Sequence, residues 1–130
     1  MTRSERAAQI WPLLSLCATQ HQIVTYDLLG KLIGVPRHGL GQLLEPIQSF
    51  CLLNGLPPLS CLVVSSQSGL PGEGFVAAAD VPLAQAQVFS HRWTDGKPPE
   101  PTELEHAARE LPSNGKSLAD LTLEVASRNS

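Results

Sequence analysis

Charge is scarce in this sequence. Lys, Arg, Asp and Glu make up 16% of its 130 residues, against about 25% in an ordinary soluble domain, which excludes a disordered polyelectrolyte. Long apolar runs are missing too, and none approaches the roughly 18 residues that a membrane span needs. The opening residues carry two arginines and one glutamate ahead of an amphipathic stretch with Trp11 and Pro12. They lack a continuous apolar segment and a small-residue cleavage site, so the expectation is a cytoplasmic protein with no membrane partner. The length suits one modest core.

Cysteine and histidine occur in patterns that exclude their commonest specialised roles. Cys17, Cys51 and Cys61 contain no CxxC pair, which rules out a zinc ribbon, and their odd, wide spacing argues against a disulfide framework. His21, His38, His91 and His106 are scattered, with no HExxH and no helical pair. Metal centres need ligand clusters. No metal and no cofactor is expected.

The charge that is present is unevenly placed. Residues 1–92 hold five Lys/Arg and five Asp/Glu, whereas residues 93–130 hold four against seven, the whole net charge of −3. A neutral body with an acidic tail is a poor electrostatic match to a phosphate backbone, which is bound by Lys and Arg.

Periodicity gives mostly α structure. A first helix is expected over residues 4–19, with Ser4 as N-cap and Ala7, Ile10, Trp11, Leu14 and Cys17 inward; Pro12 should kink it or mark its start. Thr25 caps a second helix over residues 26–33, with Leu28, Leu29, Leu32 and Ile33 on one face and Gly34 as C-cap. Val35-Pro36 restarts the chain into a third helix over residues 37–53, carrying Leu40, Leu43, Leu44, Ile47, Phe50 and Cys51 inward. Two helices joined by so tight a turn form a helix-turn-helix pattern. Residues 59–65 read as a strand, and the turn and glycine-rich stretch that follow, to residue 75, as a β-wing or a loop beside the helices. That stretch lacks the lysine of a phosphate-binding loop. A fourth helix starts near Asp80 and ends at His91, Arg92 and Trp93. Beyond it, a proline-rich linker leads to two helices over residues 102–111 and 117–127, capped by Thr102 and Ser117.

Ile10-Trp11, Val24-Thr25-Tyr26-Asp27, Leu32-Ile33-Gly34-Val35-Pro36, the proline-led strand and the glycine-rich loop appear in an order that resembles the winged-helix domain of alkylguanine-DNA alkyltransferases and alkyltransferase-like proteins. The resemblance covers about residues 7–93. It implies that Tyr26 crowds the phosphate of a flipped nucleotide and that residues 37–44 form the recognition helix. The family's base-replacing arginine falls on Leu40, and its Pro-Cys-His-Arg motif falls on Ser60-Cys61-Leu62-Val63. The cysteine is retained, while the histidine that activates it and the arginine are not. A thiol without a base or positive charge beside it is inert.

The residues themselves leave alternatives open. Tyr26 is a phosphate contact or a rim tyrosine, and Leu40 an apolar wedge or a core residue. Arg37 and His38, at a helix start whose free N–H groups favour anions, are anion contacts or solvated side chains.

The expectation is a mostly α fold. Residues 1–93 form a winged-helix-like helix-turn-helix domain with a short β-wing, and residues 94–130 add a linker and an acidic helical segment. The leading function is a non-catalytic, alkyltransferase-like module binding double-stranded DNA through Tyr26, Arg37, His38 and Leu40. The alternatives are a protein-interaction or regulatory adaptor, with residues 94–130 meeting a protein partner, and a residual cysteine-dependent alkyl acceptor.

Overall fold

The computed structural model describes residues 1–72 and 74–129; Glu73, within the glycine-rich stretch, lies outside them. The fold is mostly helical, with one small two-stranded sheet. Helix α1 runs Arg3–Thr19. Its N-cap is Thr2 and not Ser4, because Thr2 and Glu5 close a capping box. Thr2 Oγ1 accepts from the Glu5 N–H at 3.1 Å and Glu5 Oε1 accepts from the Thr2 N–H at 3.0 Å. Ser4 is instead buried inside the helix. Pro12 neither starts nor divides α1. It sits on the exposed side of a helix that continues through it.

Strand β1 (Val24–Thr25) leads directly into α2 (Tyr26–Ile33). The Thr25 hydroxyl accepts from the Leu28 N–H at 3.2 Å, and Gly34 ends the helix in the left-handed region at φ 74°. The Val35 N–H turns back to the Gly30 carbonyl at 2.9 Å. A Cβ on Gly30 would stand 2.5 Å from the Val35 oxygen, so this turn closes only over a glycine. One 3₁₀ turn, Arg37–Gly39, then precedes α3 (Leu40–Leu53). Arg6 ties the unit to α1 by donating to the Ile33 carbonyl at 2.8 Å. The expected apolar face of α2 is narrower than the spacing suggested: Leu29 is buried, but Leu28 and Leu32 are 50% and 59% exposed.

The expected strand over residues 59–65 is also corrected. Leu59–Leu62 form a 3₁₀ turn, and only Val63–Val64 (β2) are extended. β2 pairs in parallel with β1, Val24 opposite Val63 and Thr25 opposite Val64. Among the described residues no hairpin wing follows. Ser65 closes a turn with Gly69 and Leu70, and the proline and glycines beyond it build no second ladder.

Helix α4 (Val81–Ser90) is capped by Asp80, whose Oδ1 accepts from the Leu83 N–H at 3.0 Å. Trp93 then folds back, donating its indole N–H to the Val88 carbonyl at 2.8 Å and meeting Trp11 edge-on at 5.7 Å. Helix α5 (Pro101–Glu110) starts with Pro101 in its first turn and Glu100 as N-cap, displacing the expected Thr102. Helix α6 (Leu118–Arg128) is capped by Ser117 as expected.

Within the segment after residue 93, α5 is a layer of the body. Helix α5 packs on both α1 and α3, and Leu104 joins Ile10, Leu14, Leu40 and Ile47 in the same core. An ion-pair clasp lies over this seam. Arg3 reaches Glu45 of α3 and Glu105 of α5, each at 3.2 Å, and Glu105 also accepts from the Ser4 hydroxyl at 2.6 Å and from Arg109 at 2.8 Å. Hydrogen bonds from Arg3, then Ser4 and Arg109, draw the Glu105 carboxyl down to about 2. Among the described residues no helix is long and apolar enough to cross a membrane.

Candidate functional site

A cavity of about 380 Å³ lies where α2 and the start of α3 meet the turn into β2 and the loop after it. Its size is that of a small-ligand pocket. Tyr26 lines it from the first position of α2. The phenol oxygen accepts from the Gly72 N–H at 2.8 Å. A Cβ on Gly72 would meet that oxygen at 2.5 Å, so glycine is what allows the loop to lie against the tyrosine. Arg37 and His38 line the rim from the 3₁₀ turn that opens α3, and both are exposed. Arg37 Nε is 3.7 Å from Asp27 Oδ1, with both side chains half exposed, a pairing that solvent screens to little net strength.

The sequence-selected residues Tyr26, Arg37 and His38 thus meet in one place, and Leu40 does not. Leu40 is fully buried. Its helical spacing with Leu43, Leu44 and Ile47 directs it into the core, so the wedge expectation is withdrawn. Cys61 is also fully buried and is not among the cavity-lining residues. Desolvation pushes its thiol up to about 12, and that of buried Cys51 likewise to about 12. Leu62, in the place of the family's activating histidine, is buried beside it and offers no base. A nucleophile at Cys61 has neither access nor activation.

The polar wall of the cavity was not legible in the sequence. Gln48 projects from α3 and is almost completely buried, yet every polar atom is used. Its Oε1 accepts from the Val76 N–H at 2.9 Å, while Nε2 donates to the Ser113 hydroxyl at 3.0 Å, with the Gly74 carbonyl at 3.2 Å and Asn114 Oδ1 at 3.3 Å also in reach. One turn earlier, Glu45 Oε2 accepts the backbone N–H groups of Ser113 and Asn114 at 3.0 and 2.9 Å. Asn114 then donates to the Gly41 carbonyl at 3.0 Å. The acidic C-terminal segment therefore supplies a wall of the cavity, fixed to α3. A glutamine on the apolar side of a helix, one turn from Leu44 and from Cys51, was the available signal.

Ser60 completes the lining. It is 4% exposed, and its hydroxyl has no hydrogen-bond partner among the described residues. Phe75 and Leu44 give the cavity its apolar surface. Among the described residues no three His, Cys, Asp or Glu side chains gather as metal ligands. Comparison of the chain with protein-family models, with curated proteins and with solved structures finds no match.

Proposed function

We propose that the protein is a non-catalytic, alkyltransferase-like module that binds duplex DNA and receives an extruded nucleobase in the cavity beside α3. The observation that carries this reading is the convergence of Tyr26, Arg37 and His38 on one pocket. In it, α2 and α3 are the helix-turn-helix of a winged-helix domain, and the loop after β2 stands where the wing would. Arg37, exposed on the 3₁₀ turn that leads into α3, meets phosphate. Tyr26 and Phe75 offer aromatic surface to a base, as sites that take a base out of the stack do. Chemistry does not follow binding, because the nearest cysteine of the motif is turned into the core with its thiol protonated.

The test is a fluorescence-anisotropy titration at low salt, comparing a duplex that carries one alkylated guanine with its unmodified twin, followed by the intact mass of the protein. Tighter binding of the modified duplex with an unchanged mass is expected. Absence of binding to either duplex contradicts the reading, as does a mass gain on Cys61.

One observation favours a second reading, a protein-interaction adaptor. Leu28 and Leu32 stand one turn apart on the solvent side of α2. An exposed apolar pair at that spacing suits a partner helix, and loss of a pull-down on Leu28→Ser with DNA binding intact would identify it.

A further inference from the structure

We infer that the Ser60 hydroxyl is the contact by which the cavity reads the polar edge of its ligand. The inference rests on the nucleobase reading above. A buried hydroxyl without a partner is costly and uncommon in a folded protein, and in this molecule it stands out against its peers. Ser4 donates to Glu105, Ser15 to the Trp11 carbonyl, and Ser49 to the Leu111 carbonyl, while Ser113 pairs with Ser49 and Gln48 uses both ends of its amide. Ser60 is the buried polar side chain left over among the described residues. It is also one that lines the cavity.

Its position follows from the corrected local structure. The 3₁₀ turn over Leu59–Leu62 sends Leu59, Cys61 and Leu62 fully into the core. Ser60, between them, is the one whose surface borders the cavity. A serine hydroxyl is one donor and two acceptor sites, so it is able to pair with a ring nitrogen, a carbonyl oxygen or an amino group. Tyr26 and Phe75 suit the flat face of such a ligand, and a hydroxyl suits its edge. The resemblance sets a proline at this position, which has no side-chain hydrogen bond to give; the contact belongs to this chain.

A structural hydroxyl and a ligand-reading hydroxyl respond to Ser60→Ala in opposite ways. A hydroxyl that held the fold would take stability with it. One that waits for a ligand leaves the empty protein equally stable or more so, because an unpaired buried group is gone. The experiment compares wild type and Ser60→Ala in two measurements, thermal unfolding without DNA and anisotropy titration with two duplexes. One duplex carries a single methylated guanine and the other an abasic site at the same position. Wild type is expected to prefer the methylated duplex. Ser60→Ala should cut that preference about three- to tenfold, leave binding to the abasic duplex unchanged, and melt no lower than wild type. An undiminished preference in Ser60→Ala overturns the contact while the nucleobase reading stands. A lower melting temperature overturns it by making the hydroxyl structural. Equal binding of both duplexes by wild type overturns the nucleobase reading, and the contact with it.

Discussion

The two sides of α3 follow different rules. Toward α1 and α5, polar groups are matched: Glu45, Ser49, Arg3, Ser4 and Glu105 interlock across three helices, with Leu104 sealed beneath. Toward the cavity, Gln48 and Tyr26 are matched as well, but Arg37 is only loosely paired and the Ser60 hydroxyl has no partner among the described residues. Satisfied polar networks specify a fold, and incomplete ones cost stability that selection tolerates where a ligand completes them. The acidic C-terminal segment belongs to the first side through α5 and reaches the second through Asn114. Of its carboxylates, Glu105 pairs with α1 through Arg3 and Ser4, while Glu100, Glu110 and Glu124 pair within the segment itself.

The sharpest break of this comparison is Leu104→Ala. If α5 is core, the fully buried leucine should cost about 2–5 kcal/mol, read as a lower urea midpoint with unchanged slope. A loss below about 0.5 kcal/mol, the range of surface changes, would make α5 peripheral. Next is Glu45→Ala, which strands two backbone N–H groups and leaves Arg3 with Glu105 alone. A cost of about 2–3 kcal/mol is expected, together with weaker ligand binding because Asn114 loses its anchor. Ser60→Ala on the other side should show no such loss, and the pair of variants states the contrast in one denaturation experiment.

Acid addresses the clasp, along with the Glu5 capping box of α1, whose carboxyl the Thr2 hydrogen bonds also lower. The Glu105 carboxyl is held down to about 2 by Arg3, Ser4 and Arg109, below the ordinary glutamate value of about 4.3. A depressed carboxyl contributes stability that is complete above its unfolded value and is lost as pH falls through the folded one. Unfolding free energy should therefore decline between about pH 4.3 and 2 by about 1 kcal/mol after solvent screening, and Glu105→Gln should flatten that slope. The smallest effect on the fold belongs to Arg37→Ala. Half exposed and weakly paired, it should leave stability within about 0.5 kcal/mol while lowering the salt slope of DNA binding by about one for one phosphate.

What was legible in the sequence was local. The Thr25 cap and the left-handed Gly34 each act within a few residues, and they marked α2 correctly; Pro36 restarts the chain into a 3₁₀ turn, so α3 begins at Leu40, three residues later than its expected start at Arg37. Residues 59–65 misled because a short apolar run has no period to separate a strand from a buried turn. Thr102 lost the cap to Glu100 because Pro101 fits the first helical turn and Glu103 closes the box. The burial of α5 was hidden by its composition: Leu104 with Ala107, Ala108 and Leu111 is a thin apolar strip, and alanines reveal close packing only once the neighbouring helix is known. The same holds for the site. Tyr26, Arg37 and His38 were visible as side-chain types at a helix start, but Gln48, Ser60 and Asn114 come together from α3, the turn before β2 and the turn after α5. No spacing rule links them.

The central claim is that the cavity at the start of α3 is where a nucleobase is received. A two-dimensional amide NMR titration of the isotope-labelled protein with the methylated-guanine duplex tests it most directly. The account predicts that the largest shifts fall on Gly41, Gly72, Gly74 and the Asn114 side-chain amide, the walls of that cavity. Shifts confined to the Leu28–Leu32 face or to α6, or no shifts at all, would contradict it.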